Sequence, residues 1–370
     1  MITAARPIAD LDELREHLQY AIGVELTTIP AYLCALYTIE EGTNTAAYDV
    51  IQSVVLEEML HMALAANVLN AIGGVPSTGP VGDGPSPVPV YPTKVPFIDK
   101  IPEIHLQRFS KAALDEFVAI EFPDDTSATS ADEQQYGSIG AFYEAIKVGL
   151  REHCPHDVFD AAKVSRAGCQ LTPDQYYGGA GSLIEVVDLR TALDAIEEIV
   201  TEGEGAPSEV LDQTADEHVV SGAETPGRLT GSHSVDDLDV LPGGWKMYSH
   251  YARFAEVRAG RHFRPDQVIG EPPEGDVLPT DWRSVRPMPL DPKAETYRGT
   301  AAYAPMVACN EAYTALVDAI YRSFNGEPDA LRDAVHLMYD LKYRAAALLN
   351  TPSPLDDEGT LGPGFEYLRQ

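Results

Sequence analysis

The stretch Ser53–Ala71, SVVLEEMLHMALAANVLNA, decides the fold. Its apolar residues fall on nearly every side of a helical wheel, the pattern of a helix packed inside a protein. Yet Glu57, Glu58 and His61 sit in its middle. A carboxylate or imidazole in such surroundings is costly unless it is paired, hydrogen-bonded or bound to a metal. Glu58 and His61 are three residues apart, so their side chains project from one face.

The helix before it carries the same signature. From about Asp10 to Glu41, Leu14, Leu18, Ala21, Glu25, Ile29, Leu33 and Leu36 recur at steps of three or four. Glu25 therefore falls within the apolar stripe, and Pro30 is expected to kink the helix. The second helix is expected over about Thr45–Ile72, stopping at Gly73–Gly74. Ferritin-like di-metal bundles use one Glu from each of two helices and a Glu-x-x-His from each of the other two. Glu25 and the Glu58–His61 pair make half of that set. For two adjacent helices, each apolar around its acid, a metal is the better explanation than a self-satisfied polar core.

The second half departs from the pattern, because the chain holds only one Glu-x-x-His. His250 lies in an apolar context, but the residue three before it is Met247. Candidates for the remaining ligands are His250, Glu121, Glu197 and Glu204. Glu121 ends a face with Ala113 and Phe117, Glu197 shares a face with Leu193 and Val200, and Glu204 lies one turn beyond Val200. Each of these acids taken alone is at least as well explained as a solvated helix end, and His250 as a simply buried imidazole.

Further helices are expected over about Leu106–Glu121, Ile139–Arg151 and Leu189–Glu202, with another restarting near Trp245. A final pair, about Ala301–Phe324 and Asp329–Leu349, reads as a helical hairpin. A short strand is expected at Leu183–Val187, and Cys154–Gly181 reads as irregular. The Pro-rich stretch 75–98 cannot be regular structure, and the Gly/Pro/Asp/Ser-rich segment 206–243 is long for an ordinary loop; both are candidate covers over a site. The fold class is mainly α: a four-helix bundle over residues 1–260, then a Pro-rich linker and the hairpin over 261–370.

Composition narrows the partners. Acidic residues number 58 against 26 basic ones, a formal charge of -32, so nucleic acid and anionic membrane surfaces are disfavoured. No run of about eighteen apolar residues lacks charge, so no transmembrane helix is expected. The N-terminus goes straight into an amphipathic helix without an apolar signal core, which points to the cytoplasm. Cys34, Cys154, Cys169 and Cys309 form no C-x-x-C pair and read as reduced thiols. Asp333 and His336 read as a surface polar pair, and His153 with His156 is too sparse for a metal site. No nucleophile elbow, phosphate loop or dinucleotide-binding glycine pattern occurs.

The segments VELTTIPAYLCALYTI, VVLEEMLHMALAANVLNAIGG, FVAIEFP, DLRTALDAIEEIVTEGEG, SHYARFAEV and LGPGFEY together resemble the ferritin-like family of the iminophenyl-pyruvate dimer synthases, enzymes of violacein- and rebeccamycin-type bisindole assembly. Those synthases carry a long additional region that this chain lacks. The resemblance implies a ferritin-like bundle with a non-haem iron centre at Glu25, Glu58, His61, Glu204 and His250, together with Glu121. Manganese accepts similar ligands. The expected activity is oxidation of a small, amino-acid-derived or natural-product molecule by O2. Tyr32, Tyr177 and Phe254 are candidate pocket walls. The alternatives are a metal-binding scaffold or store without catalysis and a metal-free helical interaction module; a homo-oligomer is left open.

Overall fold

The computed structural model describes residues 7–82, 84–98, 100–123, 135–176, 181–203, 249–264, 270–356 and 359–368. Among them are nine α-helices: α1 (Leu11–Thr38), α2 (Thr45–Ala71), α3 (Lys111–Ile120), α4 (Ile139–His153), α5 (His156–Ser165), α6 (Leu189–Glu202), α7 (His250–Ala259), α8 (Tyr303–Ser323) and α9 (Asp329–Leu349). There is no extended strand among the described residues, only isolated bridges.

α1 and α2 form the centre. Asp10 caps α1, its carboxylate accepting from the backbone N–H groups of Asp12 and Glu13. The two helices run antiparallel, because Arg15 near the start of α1 donates to the Ile72 carbonyl just past the end of α2. By length and composition each could cross a membrane. However, 94% and 89% of their most apolar windows are buried inside the protein. Their hydropathy is that of a bundle core.

The other two bundle positions are each split in two. α3 packs on the second half of α1, with Phe117 edge-on to Tyr32 at 4.5 Å. α4 packs on the first half of α1, where Gly149 lies close to Leu14 and Ile8. The fourth position begins with α6, which packs on α4 and α2. It resumes with α7, joined end to end: the His250 N–H donates to the Gly203 carbonyl at 3.0 Å. Both interruptions fall at the level of Glu25 and Glu58. On the opposite side of α1 and α2, the α8–α9 hairpin adds its inner face to the same apolar core.

Several expectations need correction. α3 starts at Lys111, with Ser110 as its cap, because residues 104–109 are held extended by contacts such as Phe109 N–H to Thr38 Oγ1. α5 was missed by the sequence reading; it is a short amphipathic helix burying Phe159 and Ala162. The segment Leu183–Val187 forms no strand, because side-chain amides take its backbone groups. Gln170 exchanges two bonds with Val186, and Asn67 donates to the Ile184 carbonyl. α1, by contrast, runs as one helix across Pro30, as its expected span requires. The Pro-rich stretch 75–98 is not a cover for the acidic cluster. It lies along another face of α1, with Tyr91 donating to the Thr27 carbonyl at 2.6 Å and Pro87 against Gly23. Segment 206–243 lies outside the described residues.

That last contact is testable. A Cβ at Gly23 would stand 2.8 Å from the Pro87 carbonyl oxygen and 2.9 Å from its Cβ. Alanine would gain about 1 kcal/mol of helix propensity, but a clash with fixed backbone costs about 1–3 kcal/mol. Gly23→Ala is expected to lower the thermal midpoint of unfolding. A raised midpoint would show that the Pro-rich stretch yields freely.

Candidate metal centre

Five side chains from four elements converge at the level of the two interruptions. α1 supplies Glu25, and α2 supplies Glu58 and His61. Glu121 is the residue that ends α3, and His250 is the first residue of α7. All are buried, at 0–4% exposure. His250 Nδ1 lies 2.8 Å from Glu58 Oε1 and 3.6 Å from Glu121 Oε2. His61 Nδ1 lies 3.7 Å from Glu25 Oε2. The two imidazoles stack with centroids 5.4 Å apart. One ligand atom each from Glu58, His61 and His250 lie within 4.8 Å of one another. Ligands at about 2.1 Å from a shared ion span up to about 4.2 Å, so a small contraction would close them on a cation.

Each histidine is anchored from outside by a carboxylate on its other nitrogen. His61 Nε2 is 2.9 Å from Glu202 Oε2, and His250 Nε2 is 2.8 Å from Glu57 Oε2. Metal-ligating histidines are held in this way, which fixes the tautomer and leaves the inner nitrogen free to coordinate. Glu57 is itself held by the buried Arg253, which also donates to Ser53 at 2.8 Å. With Nε2 donating to Glu57, the inner Nδ1 of His250 is a buried atom without an aligned hydrogen bond. Glu58 is near enough but out of line. The inner carboxylates have hydroxyl donors as well: Thr28 to Glu58 at 2.8 Å, Tyr32 to Glu121 at 2.5 Å, and Tyr143 to Glu25.

The electrostatics show a crowded set of like charges. Burial, then the charges of Glu121 and Glu25, push the Glu58 carboxyl up to about 8. Burial disfavours the His61 imidazolium, yet Glu202 and Glu25 raise it to about 10. His250 is raised against its burial by Glu121, Glu57 and Glu58. Glu57 behaves differently: burial opposes its ionisation, but Arg253 and His250 hold it down to about 2. Glu57 thus has its countercharge, whereas the inner cluster needs protons or a cation.

The comparisons with known proteins agree with this architecture. The ferritin-like family profile matches residues 18–259. The chain belongs to the ferritin-like family. A ferritin-like protein from Caulobacter vibrioides, solved by crystallography, has the same fold, with a TM-score of 0.58 and 22% identity over 96% of this chain and 99% of that one. The chain is also 21% identical to a dichlorochromopyrrolate synthase from Lentzea aerocolonigenes, over 97% of this chain but 36% of that enzyme. It therefore spans about a third of that relative's length.

Set against the expected site of this ferritin-like chain, the structure gathers Glu25, Glu58, His61, Glu121 and His250. Glu204 and Tyr177 lie outside the described residues. Glu197 is not at the cluster; it points outward to Lys147 at 3.0 Å. Leu193 and Val200, which placed it on an inner face, are only half buried. The inner row of α6 is Ala192, Ala195, Ile196 and Ile199, leading to Glu202. Its two alanines hid that row from an analysis of large apolar residues. Sequence reasoning also missed the Glu57–Arg253 pair. The available signal was Arg253 three residues after His250, on the same face of SHYARFAEV. Tyr32 and Phe254 pack with Phe117 as an aromatic core, from which Tyr32 donates to Glu121, and neither lines the cavity beside the cluster.

Breaking a buried ion pair strands the remaining charge, at a cost of about 3–5 kcal/mol. Arg253→Met is therefore expected to shift the urea midpoint of unfolding strongly downward. The double variant Arg253→Met/Glu57→Met is expected to recover part of the loss. A single variant as stable as the parent would remove Arg253 from this role.

Proposed function

We propose that the protein is a non-haem iron enzyme that uses O2 to oxidise a small organic molecule of amino-acid-derived or natural-product type. The observation that carries the reading is His250 Nδ1: a buried nitrogen facing two carboxylates, with its other nitrogen already committed. That arrangement calls for positive charge between the nitrogen and the carboxylates, which a bound cation would supply in place of a proton on the imidazole. Glu25, Glu58, His61, Glu121 and His250 would hold it, with Glu202 and Glu57 orienting the two imidazoles. The donor set of carboxylate oxygens and imidazole nitrogens suits iron, and manganese next.

When bound, iron would supply the redox chemistry with O2. The chain's own residues do the rest. Tyr32, Phe117 and Phe254 exclude water on one side of the cluster. On the other side, Ile139, Gly140, Tyr143, Ile199 and Val200 enclose a cavity of about 20 Å³ beside Glu25, Glu58 and His61. That is room for about one water, and a diatomic molecule is of similar size. Tyr143 holds one oxygen of Glu25 through its hydroxyl, which leaves the other toward His61. The likeness to a dichlorochromopyrrolate synthase favours a biosynthetic substrate. The small cavity favours a second reading, a metal-binding scaffold without catalysis.

Two measurements separate these readings. Glu58→Ala and His61→Ala are expected to lower bound iron at least tenfold by elemental analysis, while Asp333→Ala keeps it. Full iron in both site variants would refute the ligand assignment. Reduced, iron-loaded protein mixed with O2 is expected to consume oxygen and develop an oxidised-iron absorption band. Iron bound without oxygen uptake would leave the scaffold reading standing.

A further inference from the structure

A second cavity lies on the far side of α1 and α2 from the acidic cluster, under the α8–α9 hairpin. Its volume is about 320 Å³, within the range of small-molecule sites. Leu26 and Ile29 of α1, Met59 and Met62 of α2, and Val317 and Val335 of the hairpin are typical of its walls. It extends along α2 from Tyr48 to Ala63, fifteen steps at about 1.5 Å of rise, so it is about 22 Å long. A cavity of this volume and length is a narrow slot, suited to an extended chain.

Three polar features mark it as more than a packing flaw. Tyr176 and Tyr313 both line it, and each buries its hydroxyl without a hydrogen bond among the described residues. A buried hydroxyl left in this way calls for a partner. Burial raises both phenols, and the nearby charges of Glu202 and Glu57 raise Tyr176 further, so both hydroxyls stay protonated. The third feature is Lys342, the one charged side chain in the described lining. It is exposed at the edge of the slot, reaches Tyr48 OH at 3.5 Å and has no other hydrogen bond or ion pair among the described residues. No acid is among the described residues that line the slot, in a chain with 58 acids and 26 bases.

We propose that this slot binds a long-chain aliphatic carboxylate of the fatty-acid class. The hydrocarbon lies along α1 and α2, and the carboxylate meets Lys342 beside Tyr48. None of Glu25, Glu58, His61, Glu121 or His250 lines the slot, and only Tyr176 in its wall lies near the carboxylates Glu202 and Glu57 that hold the two imidazoles.

The test uses the full chain without added metal and the fluorescent acid 11-(dansylamino)undecanoate, displaced by palmitate or by hexadecan-1-ol. Both competitors are expected to displace the probe from the parent protein. Lys342→Glu is expected to weaken palmitate about tenfold and leave hexadecan-1-ol unchanged. Val335→Trp is expected to block both, and Met338→Trp, at a half-buried wall position, repeats the blockade should the first variant fold poorly. The proposal is overturned if palmitate does not displace the probe, or if both tryptophan variants bind it as the parent does. An equal loss of palmitate and alcohol in Lys342→Glu would overturn the placement of the head group.

Discussion

Three carboxylates and two imidazoles share one dry space in the middle of a helical bundle, and that crowding governs the rest of the structure. Like charges a few ångströms apart repel far more strongly inside a protein than in water. Glu57 escapes the problem through Arg253, which is why its carboxyl is held low. Glu25, Glu58 and Glu121 have no such side chain. Their compensation is either two protonated histidines or an ion between them. The outer carboxylates, Glu202 and Glu57, already take the outer nitrogens, so the inner nitrogens are aimed at the space where an ion would sit.

The interruptions in the third and fourth bundle positions explain how these groups reach one level. Glu121 stands where α3 ends, and His250 stands where α7 begins. The backbone bond from His250 to Gly203 rejoins α6 and α7, so Glu202 and His250 are near neighbours in space though far apart in sequence. The N-terminal end of α7, with its partial positive charge, then points at the acidic cluster and favours it. An unbroken helix could have presented a second Glu-x-x-His. The broken one delivers an acid and an imidazole from separate segments.

This explains what sequence could and could not reveal. α1, α2, α6 and the hairpin follow from unbroken 3.6-residue periodicity, and Glu25, Glu58 and His61 stand out because they interrupt it. Glu121 and His250 were legible mainly through the family resemblance, since each sits at a helix end where a solvated residue is ordinary. Glu202 was hidden behind a row of alanines. Glu57 was visible as a buried acid, but its partner lies 196 residues away and only the fold joins them. The absence of a strand at Leu183–Val187 depends on Gln170 and Asn67, whose amides replace strand pairing in a way no local pattern announces. Likewise, Ile29 and Leu33 continue the stripe of Glu25 in sequence but line the apolar slot, while Thr28 and Tyr32 face the cluster.

The most direct test of the account is anomalous diffraction at the iron edge, from crystals of protein loaded with ferrous iron. The expected result is a peak between Nδ1 of His61 and Nδ1 of His250, in contact with Glu58. A map with no peak there, or with its peak elsewhere in the molecule, would contradict the claim that these buried acids and imidazoles are arranged around a metal.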